Sequence, residues 1–300
     1  MFDIEKIPSQ KGRLAIVTGA NIGLGYETTL ALAKKEMSVI LACRNLEKAE
    51  EAKQKILGEA PKAHVEIMQI DLSSLKSVRA FSASFLKKYK KLDLLINNAG
   101  VMIPPYSQTE DGFELQMGAN YFGHFLLTGL LLDIIEKTPE SRIVSLSSIA
   151  HKSGKINFDD LQSEKNYSKM EAYSQSKLAC LMYAFELQKR LDKKGSKTLS
   201  VAAHPGVSNT NLSQHIPKIL QLALTPLFMF MVHKPASAAQ PTLLAALGKD
   251  VKGGQYFGPT GFREMNGKAG LARFMSFSKD EGVAKSLWET SEKLTDIKYL

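Results

Sequence analysis

The sequence predicts a single α/β domain, a parallel sheet covered by helices on both faces. Six short apolar or near-apolar runs (14–17, 39–42, 65–68, 92–96, 143–146 and 199–203) recur along the 300 residues. Charged, helix-forming segments separate most of them, as crossover connections between parallel strands require. Near-continuous apolarity suits strands buried on both sides better than strands with one wet face. With 44% hydrophobic residues the chain can fill a sizeable core. Neither a low-complexity linker nor an internal repeat divides it, so residues 1–300 are expected to form one domain.

The first run leads into Thr-Gly-Ala-Asn-Ile-Gly-Leu-Gly at 18–25 and then into a helical pattern over 27–35. Strand, tight turn and helix start are the setting in which glycines signify dinucleotide binding. Gly19 permits the turn, Gly23 lets the backbone approach a pyrophosphate, and Gly25 lets helix and strand pack. Unpaired N–H groups at the helix start face the phosphates, with Asn21 and Ile22 beside them. The spacing is Gly-x-x-x-Gly-x-Gly, which alone reads equally well as an ordinary tight turn. At the end of the second run, Leu41-Ala42-Cys43-Arg44-Asn45 carries no acid to bond a ribose 2′-hydroxyl. Arg44 is suited to grip a 2′-phosphate, with Asn45 and Lys48 as helpers, so the expected cofactor is NADP(H) in preference to NAD(H).

Further along, Tyr173 and Lys177 stand four apart in Tyr-Ser-Gln-Ser-Lys. On a helix both project from one face, with Cβ atoms about 5–6 Å apart. An ammonium beside a phenol favours the phenolate, which suits the pair to proton exchange near neutral pH. In isolation it would be a plain amphipathic face.

Taken together, these features resemble the short-chain dehydrogenase/reductase family over nearly the whole chain. Asp71-Leu72, Asn97-Asn98-Ala99-Gly100, Asn120, Ser147-Ser148 and Pro205-Gly206 follow in the family's order. More narrowly, Ala42-Cys43-Arg44-Asn45, Ser148-Ile149-Ala150-His151 and Ser286-Leu287-Trp288-Glu289-Thr290-Ser291 resemble the retinol-dehydrogenase-like branch. The resemblance implies a doubly wound Rossmann-type fold with a seven-stranded sheet in the order 3-2-1-4-5-6-7, and ligands beyond the carboxyl ends of the strands. It implies that Asp71 and Leu72 meet the adenine and that Asn98, Ala99 and Gly100 pass beside the adenosine. Pro205, Gly206 and Val207 would face the nicotinamide, with Thr210 reaching its carboxamide or a phosphate. Tyr173 would exchange the proton, and Lys177 would assist it and bond the nicotinamide ribose. Ser148 would stabilise charge on the substrate oxygen. Asn120 would hold a water that links Lys177 to solvent. As alternatives, Ser148 caps a loop and Asn120 satisfies a buried backbone group. His124, His151 and His204 are read as structural, since Tyr173 fills the role of base.

Composition narrows the function classes. Two cysteines, Cys43 and Cys180, fit a reducing compartment and provide no disulfide framework. No Cys/His cluster has zinc spacing, so no metal is expected. The net charge of +9 comes from lysines scattered through amphipathic helices, a pattern of solvated faces that gives no nucleic-acid interface. The N-terminus Met-Phe-Asp-Ile-Glu-Lys-Ile-Pro has no long apolar run, unlike the anchored retinol dehydrogenases, so a cytoplasmic protein is expected. The long stretch between Ser148 and Tyr173 is expected to wall one side of the substrate pocket. The region at about 207–233, with its apolar run 219–231, is expected to form a lid, with peripheral membrane or partner contact as the alternative. The expected substrate is a lipophilic carbonyl or alcohol: an aldehyde, a ketone, or a retinoid- or steroid-like compound. Two rival functions are a non-catalytic NADP(H)-binding sensor or scaffold and a light-dependent enzyme resembling protochlorophyllide reductase. Family members pair into dimers through the helices that carry Asn120 and Tyr173, and apolar positions over 178–187 suit either such pairing or the core of the monomer.

Overall fold

A computed structural model describes residues 2–207 and 235–300. Thr210 and the apolar run 219–231 lie outside the described residues. The elements in order are β1 (Leu14–Thr18), α1 (Gly23–Lys34), β2 (Ser38–Cys43), α2 (Leu46–Glu59), β3 (Val65–Gln69), α3 (Leu75–Lys88) and β4 (Leu94–Asn97). A π-helical turn (Met117–Phe122) then runs into α4 (Gly123–Glu136), followed by β5 (Arg142–Leu146), α5 (Lys169–Lys194) and β6 (Leu199–Ala203). Last come α6 (Pro235–Ala238), α7 (Gln240–Leu247), β7 (Tyr256–Pro259), β8 (Ala269–Leu271) and α8 (Glu281–Thr295).

The sheet has eight strands in the order β3-β2-β1-β4-β5-β6-β7-β8. The first seven are parallel in the expected order. The eighth is an addition to the expectation and pairs antiparallel with β7, Gly258 opposite Gly270. Three residues with no apolar periodicity gave no sign of it in the sequence.

Strand alternation divides the core in two. Leu14 and Ile16 of β1 join Phe81, Phe85, Phe122, Phe125, Leu178 and Trp288 under α3, α4, α5 and α8. Ala15 and Val17 join Leu30, Leu32, Ala52, Ile56 and Leu243 under α1, α2 and α7. Both faces are therefore covered, which is why the strands read as continuous apolar runs. Among the described residues, Met117–Glu136 is long and apolar enough to cross a membrane, and 83% of its apolar window is buried within the protein. Most apolar residues of 178–187, including Leu178, Leu181, Met182, Tyr183 and Leu187, are buried in this chain's own core, and Phe185 is half-buried.

Candidate active site

Parallel strands in register present their carboxyl ends at one edge, and the glycine turn, Arg44, Asp71, Asn98, Ser148 and Pro205 follow those ends. β1 pairs with β2 and β4, Val17 lying opposite both Leu41 and Ile96, so the segments after Thr18, Cys43 and Asn97 emerge side by side. Thr18 Oγ1 accepts the N–H groups of Asn98 (2.9 Å) and Ala99 (3.0 Å), while Asn98 Nδ2 donates to Thr18 O at 2.7 Å. Asn98 is thus a brace beneath the glycine turn. Helix α1 starts at Gly23, earlier than the helical pattern suggests, because the last glycines of the motif already form its first turn. The helix has no side-chain cap and no acid in its first turn, leaving its N–H groups open to an anion. Cys43 lies against the backbone of Ala20 and Asn21, and burial pushes its thiol up to about 11.

These features fit the phosphates of a dinucleotide. Toward the adenosine end, Arg44 is largely exposed, with Nη1 3.8 Å from Asp71 Oδ2. Asn45 caps α2, its Oδ1 accepting the Lys48 N–H at 2.8 Å. The cap engages only the side-chain oxygen of Asn45 and the backbone N–H of Lys48, and involves neither the Asn45 amide nitrogen nor the Lys48 ammonium. Asp71 Oδ1 accepts from the backbone N–H and the hydroxyl of Ser73, and Leu72 is packed against Gly123, where an added Cβ would lie 2.3 Å from Leu72 O.

Tyr173 and Lys177 project from α5 one turn apart, with Lys177 Nζ 5.9 Å from the centre of the phenol ring. Both are buried, at 7% and 5% exposure. Lys177 Nζ donates to Leu146 O at 3.1 Å, and Ser147 Oγ donates to Lys177 O at 2.7 Å. The end of β5 is thereby fastened to the helix that carries the pair. Ser148 is more open than Ser147 and caps a short 3-10 turn (Ile149–Ser153), its Oγ accepting the Ala150 N–H at 3.2 Å. The cap described as the alternative role is present, and the hydroxyl hydrogen stays free to donate.

Asn120 sits in the π-helical turn and pairs with both backbone groups of Val101: Oδ1 accepts the N–H at 2.7 Å and Nδ2 donates to the C=O at 3.0 Å. Nδ2 also donates to Ser176 Oγ. Asn120 therefore does satisfy buried backbone, and Oδ1 keeps one lone pair. A Cβ on Gly100 would meet that Oδ1 at 3.0 Å and Lys177 Nζ at 3.3 Å, so the glycine leaves open the space between them. Pro205, Gly206 and Val207 follow β6, with Val207 N bonded to Met265 O at 2.9 Å. Sequence reasoning missed Thr18 Oγ1, visible only as part of the turn, and the 262–266 segment, which has no local motif.

The three histidines are buried and neutral. Burial lowers His124 to about 4 and His204 to about 3, and it lowers His151 as well. His124 bridges Asn120 O and Thr18 Oγ1, each at 2.9 Å. An unfolded chain protonates these rings below about 6.5 while the folded chain resists, so stability falls as pH drops from about 6.5 toward the folded values. Between pH 7 and 5 the expected loss is about 2 kcal/mol each for His124 and His204. Thermal melts at the two pH values check this, and a higher Tm at pH 5 would contradict it.

Comparison with known proteins agrees with this geometry. The family described as short chain dehydrogenase matches residues 13–220. Retinol dehydrogenase 13 of Homo sapiens is 43% identical over 293 residues, covering 95% of this chain and 85% of that protein. Retinol dehydrogenase 14 of Mus musculus is 40% identical over 302 residues, covering 95% and 86%. Among solved structures, an uncharacterized protein from Mycobacterium Paratuberculosis superposes with a TM-score of 0.81 at 37% identity, covering 100% of this chain and 99% of that one. The RhlG/NADP active-site complex of Pseudomonas aeruginosa shares the fold, with a TM-score of 0.65 at 22% identity over 83% and 94% of the two chains. On matched length, motif placement and fold, this chain is an oxidoreductase that belongs to the short-chain dehydrogenase family and is similar along nearly all its length to retinol dehydrogenases.

Proposed function

We propose that this protein is an NADP(H)-dependent reductase of lipophilic carbonyl compounds, with retinal-like aldehydes as the leading class. The observation that carries the reading is the placement of Tyr173 and Lys177 on one face of α5, fastened to the end of β5 and bordering Gly100. The substrate class is supported by similarity to the retinol dehydrogenases. The glycine turn and the strand ends would hold a nicotinamide cofactor, which when bound would supply the hydride for the carbonyl carbon. Ser148 donates a hydrogen bond to the substrate oxygen as charge develops there, and Tyr173 delivers its proton to that oxygen. The Lys177 ammonium stabilises the phenolate left behind. Reprotonation runs from solvent past Asn120 Oδ1 and Lys177 Nζ, through the space that Gly100 keeps clear. In the oxidative direction the same groups work in reverse, Tyr173 taking the alcohol proton.

The test is NADPH depletion across a panel of aldehydes, ketones, steroids and all-trans-retinal. Turnover with lipophilic carbonyls is expected, and none on any member of the panel would sink the reading. The cofactor preference has its own test in Arg44. Its contact with Asp71 is a long surface pair worth about 0–1 kcal/mol, so the guanidinium is free to engage a 2′-phosphate. A charge-assisted bond of that kind contributes about 1.5–3 kcal/mol. Arg44→Ala should therefore raise KM for NADPH roughly ten- to hundredfold while leaving KM for NADH unchanged. Wild-type efficiency with NADH equal to or above that with NADPH would show the assignment of Arg44 to be wrong.

A further inference from the structure

We propose that Glu264 is a positioning residue: from the tip of the β7–β8 hairpin it ties the turn that carries Ser148 to the Pro205–Val207 segment. It thereby sets the separation between the hydroxyl that steadies the substrate oxygen and the nicotinamide side of the cleft. The inference rests on the reductase reading above and adds to it the part that holds two catalytic walls in register.

The need for such a tie follows from the sheet. The β5–β6 ladder ends with Ser147 N donating to Ala203 O at 2.9 Å. Beyond that bond the chain after β5 leaves the sheet, whereas the chain after β6 keeps one more bond to β7, His204 N–H to Phe257 O at 2.8 Å, so no direct backbone ladder joins Ser148 to Gly206. The hairpin tip spans the gap. Lys152, on the same short turn as Ser148, donates to Glu264 Oε2 at 2.6 Å, and the Arg273 N–H donates to Oε1 at 2.6 Å. The next residue holds the other wall: Met265 O accepts the Val207 N–H at 2.9 Å, and a Cβ on Gly206 would lie 2.3 Å from that same oxygen.

The backbone makes an independent argument. Arg263 (φ 48°) and Glu264 (φ 59°) are consecutive left-handed residues and neither is glycine. Such a pair persists only where the surroundings hold it, and strain of this kind concentrates at functional sites. The Glu264 side chain is 11% exposed, far from the behaviour of a loose surface acid. Behind the ion pair runs a neutral layer that joins the same two walls. His151 Nδ1 donates to Ser148 O at 2.6 Å, His204 Nδ1 accepts the Gly206 N–H at 3.2 Å, and both rings pack on Tyr256 with centroids 5.4 and 5.1 Å away.

The experiment compares Lys152→Met, Glu264→Gln and the double variant with wild type and Tyr173→Phe, using all-trans-retinal and NADPH. Each single change should lower kcat roughly tenfold by misplacing Ser148. The double variant should lose no more than either single, because one interaction is removed in all three. KM for retinal and Kd for NADPH should stay within about twofold of wild type, since the binding surfaces are untouched. The primary isotope effect with NADPH deuterated at the transferred position should rise, which a smaller folded fraction would not cause. An unchanged kcat or an unchanged isotope effect in Lys152→Met overturns the proposal, as does a loss carried by KM or Kd. If Glu264→Gln does not fold, Lys152→Met decides alone, its side chain being partly solvent-exposed. A wild type no faster than Tyr173→Phe would instead overturn the reductase reading and the inference with it. An active wild type beside an unaffected Lys152→Met overturns the inference only.

Discussion

Tyr173→Phe should lower kcat by about 10²–10⁴-fold, the range that a positioned proton donor contributes. The substitution removes one oxygen from a ring that is 7% exposed and already packed, so neither fold nor cofactor site is disturbed. Lys177 keeps its bond to Leu146 O. NADPH Kd, followed by fluorescence, should therefore match wild type while turnover collapses. That split separates a chemical role from a binding role. Full activity in Tyr173→Phe with every accepted carbonyl would remove the proton-transfer assignment and favour a sensor that binds the nucleotide without reacting.

Gly25→Ala should abolish tight cofactor binding. A methyl at this position would lie 2.2 Å from Gly19 O and 2.6 Å from Asn98 Nδ2. Neither neighbour is a flexible chain end. The oxygen belongs to a residue with φ +65°, and the amide is pinned to Thr18 O at 2.7 Å. Relief requires α1 to withdraw or the turn to open, and either moves the helix N-terminus away from the phosphates. Overpacking of this kind costs about 1–3 kcal/mol. If the cofactor binds only the undistorted turn, Kd for NADPH should rise roughly ten- to hundredfold. Gly58→Ala is the matched control, because nothing lies within 4 Å of a Cβ at that helical position. It should leave Kd unchanged, and an equal loss in both variants would refute the steric argument.

The parts legible in the sequence were those that leave a one-dimensional trace. β1, β2, β4, β5 and β6 stood out because their residues are buried on both sides, as in the fully buried run Leu14–Thr18. β3 was weaker, since as an edge strand it is only partly buried. β7, reading Tyr-Phe-Gly-Pro, and the three-residue β8 carry too little apolar pattern to be found. In the site, helical spacing brought Tyr173 and Lys177 together, and strand-end placement gathered the glycine turn, Asn98, Ser148 and Pro205. Asn45 was read as a helper to Arg44, and through its side-chain oxygen it also caps α2, as an Asn just before a helical run signals. Glu264 stands 112 residues from Lys152, so only the hairpin reveals their pairing.

Helix α5 carries two loads at once. One side bears Tyr173 and Lys177, the pair proposed for proton transfer, while Leu178, Tyr183, Leu187 and Leu191 on the same rod are buried among the described residues. Segments of that kind open only when the whole domain opens, and loops fray long before them. Warming therefore gives Tyr173 and Lys177 no early route to drift apart: separation of these two groups and global melting become a single event.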